Sequence, residues 1–262
     1  MNVRATPVHV ESAGAGPPLV LLHGFALHGG LFSSVLPALT RRHRVHVVDL
    51  PAHGWSAPVA PYDLPTIAAA IDDATRHIGG PLTLVGWSLG GQVAMQWALA
   101  RPERVQRMIL VASTPAFVAR DDWPHAMSAT TLARFGDELR VAYRPTLLRF
   151  LSLQVQGSDD GRRALARLRS SLFERGEPSP QALEAALALL RDADLRPRLR
   201  EVAMPVCVIA GARDALVPLA ATQALAAALP RATHTTIAGA AHAPFLSHPD
   251  AFVEALGAFA DG

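Results

Sequence analysis

Ser88 stands in a sequence pattern that could hold a nucleophile. It is the centre of Gly86-Trp87-Ser88-Leu89-Gly90, which fits G-x-S-x-G, with the apolar run LTLV before it and the helical pattern QVAMQWALA after it. Where a strand turns this sharply into a helix, the serine takes a strained backbone conformation, and side chains at either glycine would collide with the neighbouring chain. The pattern predicts a nucleophile elbow suited to acyl transfer; the alternative is an ordinary strand-to-helix turn.

A serine hydroxyl is a poor nucleophile unless a base accepts its proton and a third group holds that base. Asp214, in GARDALVP, follows the apolar run PVCVIAG, and His242, in GAAHAPFLSHP, follows the last β-branched run. The order serine, acid, histidine along the chain is the one expected for such an elbow. We therefore expect His242 to act as general base and then general acid, and Asp214 to orient its imidazole.

The remaining histidines and acids fit simpler roles. Five of them are weaker candidates, because each has a position that accounts for it without a catalytic role. That position is a helix start, a strand interior or the long helical stretch, and the residues are His248, His234, His125, Asp192 and Asp194. Asp49 follows another apolar run, but the sequence offers it no base to serve.

A tetrahedral intermediate also needs N–H donors for its oxyanion. One donor is expected to be the backbone N–H of Leu89, directly after the nucleophile, and the second is expected in the loop after an early strand. That loop reads LLHGFALHGG, which indicates the N–H of Phe25. His23, two residues earlier, is more simply a structural hydrogen-bonding residue.

Short apolar runs alternate with helical patterns along most of the chain. The runs are typical of strands buried on both faces of a parallel sheet: 18–24, 45–50, 81–87, 105–113, 205–211 and 233–238. The helical patterns lie at 31–41, 64–78, 89–101, 219–229 and 249–260. This alternation predicts an α/β fold with a mostly parallel central sheet flanked by helices.

The alternation stops between residues 114 and 203. Three helical patterns lie there, at 146–156, 161–174 and 179–192, and the third begins with a candidate N-cap, Ser179, followed by Pro180. We expect 114–203 to be a helical cap inserted over the carboxyl ends of the strands, and 1–113 with 204–262 to form the core domain.

Composition narrows the functional classes further. The net charge is only +2, and all basic residues are arginine, nine of which lie between Arg134 and Arg175 against five acids. The single cysteine, Cys207, allows no intrachain disulfide, and no motif indicates a metal or a dinucleotide cofactor. The start, MNVRATPVHVESAG, has no apolar run as long as the core of a signal peptide, and no stretch of the sequence approaches the length of a membrane span. We expect a cytoplasmic monomer that needs no cofactor. We also expect it to bind neither nucleic acid nor membrane.

The ordered motifs resemble those of the α/β-hydrolases, namely HGF, GWSLGG, the aspartate of GARD and the histidine of AAHAPF. Within that superfamily, the chain is similar over nearly its whole length to the pimeloyl-[acyl-carrier protein] methyl ester esterases, the carboxylesterases of biotin synthesis. The more specific segments are VASTPAF, the DDWP turn, RFLSLQ and AAHAPFLSHP. Phe25 departs from the family, which often has tryptophan there.

The resemblance implies hydrolysis of a methyl ester on a pimeloyl chain that an acyl carrier protein holds, with release of methanol. It implies these substrate contacts: Phe25, Ser88, Leu89, Phe150, Leu151, Ser152, Leu153, Gln154 and His242. The carrier protein is acidic, so basic residues of the insertion could form a docking patch: Arg144, Arg149, Arg162, Arg163 and Arg167. The other interpretation of these arginines is a solvated helix surface.

Two other functions remain open at this point. One is a hydrolase with the same three residues that cleaves small free esters or C–C bonds, and the other is a ligand receptor with this fold and negligible turnover. Dehalogenases and epoxide hydrolases carry an aspartate at the elbow, so Ser88 argues against both.

Overall fold

A seven-stranded sheet forms the centre of the protein, whose computed structural model describes residues 8–262. The strand order is β1-β3-β2-β4-β5-β6-β7, and every neighbouring pair is parallel except β1 with β3. The strands are β1 (Val10–Ala13), β2 (Pro18–Leu22), β3 (Arg44–Val48), β4 (Leu82–Trp87), β5 (Val105–Val111), β6 (Val206–Gly211) and β7 (Ala232–Ile237). The α/β class predicted from the sequence is confirmed.

Helices cover both faces of this sheet, which is why β4 and β6 are buried at every residue. The helices of the core are α1 (Leu36–Leu39), α2 (Leu64–Ala74), α3 (Leu89–Ala100), α8 (Leu219–Ala228), α9 (Pro244–Ser247) and α10 (Pro249–Ala260). The central helix α3 packs against both β4 and β5, and ten of its residues are buried. Its position fixes the elbow that precedes it.

Residues 114–203, which we call the helical segment, separate β5 from β6. The helical segment contains α4 (Ala129–Val141), α5 (Tyr143–Val155), α6 (Gly161–Ser171) and α7 (Pro180–Asp192), and it adds no strand to the sheet that residues 8–262 form. Ser179 accepts a hydrogen bond from Ala182 N at 3.0 Å and so caps α7, with Pro180 in its first turn. All three predicted helices of the segment are present.

Three elements differ from the sequence-based expectation. The edge strand β1 was not predicted, because VESA is half-exposed and carries no apolar run. Helix α4 was not predicted either, because only Leu139 of its thirteen residues is buried and its pattern is mostly polar. Residues 31–41 form a short 3₁₀ helix (Gly29–Ser34) and then α1, with Pro37 in the first turn of that second helix.

In the described part of the chain, none of the helices combines the length and the apolar character that crossing a membrane requires.

Candidate active site

The elbow between β4 and α3 holds Ser88 in a conformation that L-residues seldom adopt. Its backbone angles are φ 55° and ψ −119°, a strained region that costs about 1–3 kcal/mol. Neighbouring groups hold this turn: Ser88 N–H donates to the carbonyl of Val111 at 2.9 Å, and the Ser88 carbonyl accepts from Ser113 Oγ at 2.8 Å. These bonds all involve the main chain of Ser88, so its hydroxyl takes no part in holding the turn.

The two glycines of the elbow are required by close backbone contacts. A Cβ atom on Gly86 would lie 2.4 Å from the carbonyl oxygen of Gly90, and one on Gly90 would lie 2.4 Å from the carbonyl oxygen of Leu22. Since no real Cβ approaches a backbone oxygen so closely, the chain must move if either glycine is replaced. The steric reason for G-x-S-x-G given above therefore holds in this structure.

Gly90→Ala is expected to destabilise the protein by about 1–3 kcal/mol, because the added methyl group must displace the end of β2. Thermal unfolding should show this as a lower Tm. Gly79→Ala is the matched control, because no atom lies within 4 Å of the position of its Cβ. An unchanged Tm for Gly90→Ala, or an equal loss for Gly79→Ala, would contradict the close packing of the elbow.

Asp214 and His242 form a buried hydrogen-bonded pair. His242 Nδ1 donates to Asp214 Oδ2 at 2.8 Å, and both side chains are at most 2% exposed. The other carboxylate oxygen, Oδ1, accepts from the backbone N–H groups of Leu216 at 2.8 Å and Val217 at 2.9 Å. With these bonds the carboxylate is held in one orientation, and the second imidazole nitrogen, Nε2, is left to accept a proton.

The main chain of His242 is held from two sides. Its carbonyl accepts from Trp87 Nε1 at 2.8 Å, and its N–H donates to the Gln154 carbonyl at 3.0 Å. Trp87 directly precedes Ser88, and Gln154 belongs to α5 in the helical segment. The loop that carries the imidazole is therefore tied both to the elbow and to the helical segment.

Ser88 and His242 line one apolar cavity beneath the helical segment. The other lining residues are Phe25, Phe117, Met127, Thr131, Leu132, Phe135, Phe150, Leu153, Leu187, Leu190 and Leu216. The rings of Phe25, Phe135 and Phe150 stack edge to face or tilted, with centroids 5.3 to 6.1 Å apart. The elbow and the imidazole thus face a space suited to an aliphatic chain.

The loop that carries Phe25 runs beside the elbow and is held by two buried histidines. His23 Nε2 accepts from Leu50 N at 2.8 Å, and His53 Nε2 accepts from Ala26 N at 3.3 Å. Each histidine donates its Nδ1–H to a nearby carbonyl, of Gly24 or Pro51. Burial lowers the pKa of His53, and burial together with His53 lowers the pKa of His23 to about 3, so both imidazoles stay neutral and can accept.

The Leu89 N–H, the other candidate oxyanion donor, begins helix α3. The first N–H groups of a helix have no partner within the helix and carry partial positive charge. Leu89 is fully buried beneath the elbow. On the other side, the loop that carries Phe25 lies against the elbow, since a Cβ atom on Gly24 would be 3.1 Å from Ser88 Cβ.

Of the run Phe150 to Gln154, two residues reach the cavity. Phe150 and Leu153 line it. Leu151 is fully buried, Ser152 Oγ donates to the Leu148 carbonyl, and Gln154 is buried and accepts from His242 N–H through its main-chain carbonyl. Substrate contacts at these last three residues remain predictions from the resemblance.

The predicted docking arginines fall into two groups. Arg144 donates two hydrogen bonds to Glu177, at 2.9 and 2.8 Å, and Arg149 is bonded to Glu138. Arg162, Arg163 and Arg167 lie on α6, where Arg162 and Arg163 are exposed. Among residues 8–262, no carboxylate lies within 4 Å of these three guanidinium groups.

The weaker candidates are placed in other contacts. His234 bonds with Thr222, His248 with Ser247, Asp192 with Arg191, and Asp194 with Arg196. The sequence interpretation missed the partner of Asp49, which is Arg175 of the helical segment. An acid after a strand end was the available signal, but its partner lies 126 residues away. Within the described residues, no three His, Cys, Asp or Glu side chains are grouped so as to hold a metal ion.

Comparison with known proteins agrees with this architecture. A family model described as the alpha/beta hydrolase fold matches residues 17–249. The esterase of Exiguobacterium antarcticum superposes with a TM-score of 0.90 at 23% identity, over 97% of this chain and 96% of its own, which shows the shared fold.

Two relatives show which family within the α/β-hydrolases the chain belongs to. A pimeloyl-[acyl-carrier protein] methyl ester esterase of Nitrosomonas europaea is 45% identical over 251 residues, covering 96% of this chain and 98% of that protein. Another of Xanthomonas oryzae pv. oryzae is 46% identical over 253 residues, with the same coverage. The chain belongs to the α/β-hydrolase family and, within it, to the family of the pimeloyl-[acyl-carrier protein] methyl ester esterases.

Proposed function

We propose that the protein is a serine carboxylesterase that demethylates the methyl ester of a pimeloyl chain carried on acyl carrier protein, a reaction of biotin synthesis. The observation that carries this proposal is the hydrogen-bonded His242–Asp214 pair facing the same apolar cavity as the strained Ser88. The relatives described above, which are named for this substrate, support the choice of ester.

In the first step of the proposed reaction, Ser88 Oγ attacks the ester carbonyl and His242 Nε2 takes the hydroxyl proton. The buried Asp214 carboxylate stabilises the imidazolium that forms. The oxyanion of the tetrahedral intermediate accepts from the N–H groups of Leu89 and Phe25. Collapse of the intermediate breaks the C–O bond to the methoxy group, and His242 gives its proton to the departing methanol.

The second step hydrolyses the acyl-enzyme. Water gives a proton to His242 Nε2 and attacks the acyl carbonyl, and the resulting intermediate collapses with return of that proton to Ser88 Oγ. The product is the free acid, which loses its remaining proton to water and becomes a carboxylate. The apolar lining of the cavity favours the methyl ester over this charged product, since a carboxylate is costly to bury there without a partner.

We propose that residues 114–203 act as a cap that positions the carrier-bound chain over the core, residues 1–113 and 204–262. Arg162, Arg163 and Arg167 on α6 are the best candidates for docking the acidic carrier, because their charges are not already matched by a carboxylate in the described part of the chain. Arg144 and Arg149 are bonded to glutamates and would have to exchange partners to contribute. A monomer working in the cytoplasm remains our expectation.

The double charge reversal Arg162→Glu and Arg163→Glu should raise KM for the carrier-bound ester about tenfold or more, because it replaces attraction with repulsion at the docking surface. The kcat/KM for p-nitrophenyl acetate should stay within about twofold, since this small ester needs no docking. Added salt should reduce the difference in KM for the carrier-bound ester between the variant and the wild type.

The double reversal Arg41→Glu and Arg44→Glu is the matched control, because both arginines are exposed and, in the described part of the chain, neither has a carboxylate within 4 Å. They lie just before and at the start of β3, at the edge of the sheet opposite to Ser88. Equal losses on both substrates, or a KM for the carrier-bound ester that reversal of Arg162 and Arg163 leaves unchanged, would contradict docking on α6.

The substrate assignment is tested by kcat/KM for three esters: pimeloyl methyl ester on carrier protein, the same ester free, and p-nitrophenyl acetate. The proposed function requires the carrier-bound ester to be the best substrate. A preference for the short free esters would favour a small-ester hydrolase, and no turnover of any of the three would favour a ligand receptor.

A further inference from the structure

The side chain of Arg175 leaves the helical segment and enters the core. It follows α6, is only 8% exposed, and donates from Nη1 to both carboxylate oxygens of Asp49 at 3.2 Å and from Nη2 to Glu11 Oε2 at 2.5 Å. Its guanidinium also lies 4.5 Å from the ring centroid of Trp55. The two bonds to Asp49 therefore tie the helical segment to a buried carboxylate of the core.

Asp49 joins two loops of the core. Its Oδ1 accepts from Gly29 N at 2.7 Å, and its Oδ2 accepts from Trp55 N at 2.9 Å. Gly29 ends the loop that carries Phe25, and Trp55 belongs to the turn that carries His53. Because Asp49 itself is fully buried, its negative charge depends on donors from these loops and on Arg175.

The same two loops meet at two further points that flank Phe25. His23 accepts from Leu50 N–H, and His53 accepts from Ala26 N–H, as described above. Ala26 has φ 63°, a conformation that costs a non-glycine residue about 1 kcal/mol and needs outside contacts to persist. The direction of the Phe25 N–H is therefore set by loop-to-loop bonds that Asp49 helps to hold.

A second contact joins α6 to the loop that carries Phe25. His28 lies in that loop, and its Nε2 bonds with the carbonyl of Ser171, the last residue of α6, at 2.6 Å. The end of α6 thus meets the loop directly through His28 and indirectly through Arg175 and Asp49.

We propose that Arg175 is a positioning residue for the oxyanion site. When the helical segment packs on the core, the bonds of Arg175 align the Phe25 N–H with Ser88. This inference rests on the proposed function, because it assumes that Phe25 N–H binds the oxyanion. Arg175 touches no substrate; it acts through Asp49, the turn of His53 and the loop of Phe25.

Because Asp49 must be charged for this role, the role can be tested through the pH dependence of activity. Burial by itself would raise the pKa of Asp49, but the N–H groups of Trp55 and Gly29 and the guanidinium of Arg175 favour the charged carboxylate, and the pKa is lowered. The titratable or charged groups around the Asp49–Arg175 pair are Glu11, His9, His23, His28 and His53. Without the guanidinium the pKa must rise, and a protonated Asp49 can no longer accept at both oxygens.

Arg175→Gln is expected to lower kcat for p-nitrophenyl acetate by about ten- to a hundredfold while KM changes less than about threefold, because a misplaced donor weakens transition-state binding alone. Its kcat/KM should also fall more steeply than that of the wild type as the pH is lowered. Arg175→Lys, which keeps the charge but loses the two-pronged geometry, should show an intermediate kcat and the wild-type pH profile.

Arg104→Gln is the matched control, since Arg104 is partly buried and bonds the Thr75 carbonyl at 3.0 Å, beside the start of β5 rather than its carboxyl end. It should lower Tm only. A wild-type kcat and pH profile for Arg175→Gln, or a loss of Tm alone, would overturn the proposal. If the Gln variant does not fold, a wild-type kcat for Arg175→Lys would overturn it. Ser88→Ala, measured alongside, tests the proposed function separately.

Discussion

Ser88→Ala is expected to lower the turnover of p-nitrophenyl acetate by about four to six orders of magnitude, to a rate that the oxyanion donors alone can support. The hydroxyl is the proposed nucleophile, and no other residue of the described cavity lining is a serine or cysteine. Stopped-flow measurement should show neither a burst of p-nitrophenol nor an acyl-enzyme.

The fold should survive this substitution, because every bond that the elbow makes through Ser88 uses its main chain. Ser88→Gly should be as inactive as Ser88→Ala but more stable by about 1 kcal/mol, since glycine relieves the positive φ. If Ser88→Gly is the more stable variant, the backbone strain at residue 88 serves to place the serine hydroxyl and does not contribute to packing.

Thr222→Ala is the control for removing a buried hydroxyl, because Thr222 lies on α8 and its hydroxyl, among the described residues, bonds only with Leu219 and His234. It should keep wild-type turnover. If Ser88→Ala retained more than about one hundredth of the activity, a different nucleophile would have to be found, and the mechanism proposed above would fail.

The elbow could be predicted from the sequence because its causes are local. Gly86, Ser88 and Gly90 lie within five residues, and the clashes that demand the two glycines involve the elbow itself and the adjoining end of β2. The positions of Asp214 and His242 could be predicted because they follow β6 and β7, whose carboxyl ends lie at the same edge as the elbow. Their hydrogen bond agrees with that prediction, while their catalytic roles remain proposals.

The contacts that involve the helical segment could not be predicted in the same way. The sequence offers Asp49 no visible partner, because Arg175 lies in a segment whose position depends on packing and not on a local motif. Helix α4 was missed because a helix that buries one residue carries almost no apolar period. Likewise, nothing in the run FLSLQ distinguishes Phe150 and Leu153, which line the cavity, from Leu151, which faces the interior.

Asp214→Asn is expected to lower kcat by about 10³- to 10⁴-fold, because the amide forces the wrong tautomer on His242. The backbone N–H groups of Leu216 and Val217 point at Oδ1, so the amide must place its oxygen there. Its NH₂ group then faces His242 Nδ1, which has to accept. The proton moves to Nε2, and the imidazole can no longer take one from Ser88.

Asp214→Asn is more informative than Asp214→Ala, since the asparagine keeps the shape and the two backbone bonds and changes only which imidazole nitrogen carries the proton. Tm should therefore fall little while turnover nearly disappears, and an NMR spectrum of the imidazole should show the proton on Nε2 instead of Nδ1. Asp192→Asn is the control, because Asp192 is exposed beside Arg191 and should leave both Tm and kcat unchanged. Retention of more than about a tenth of kcat by Asp214→Asn would mean that another group orients His242.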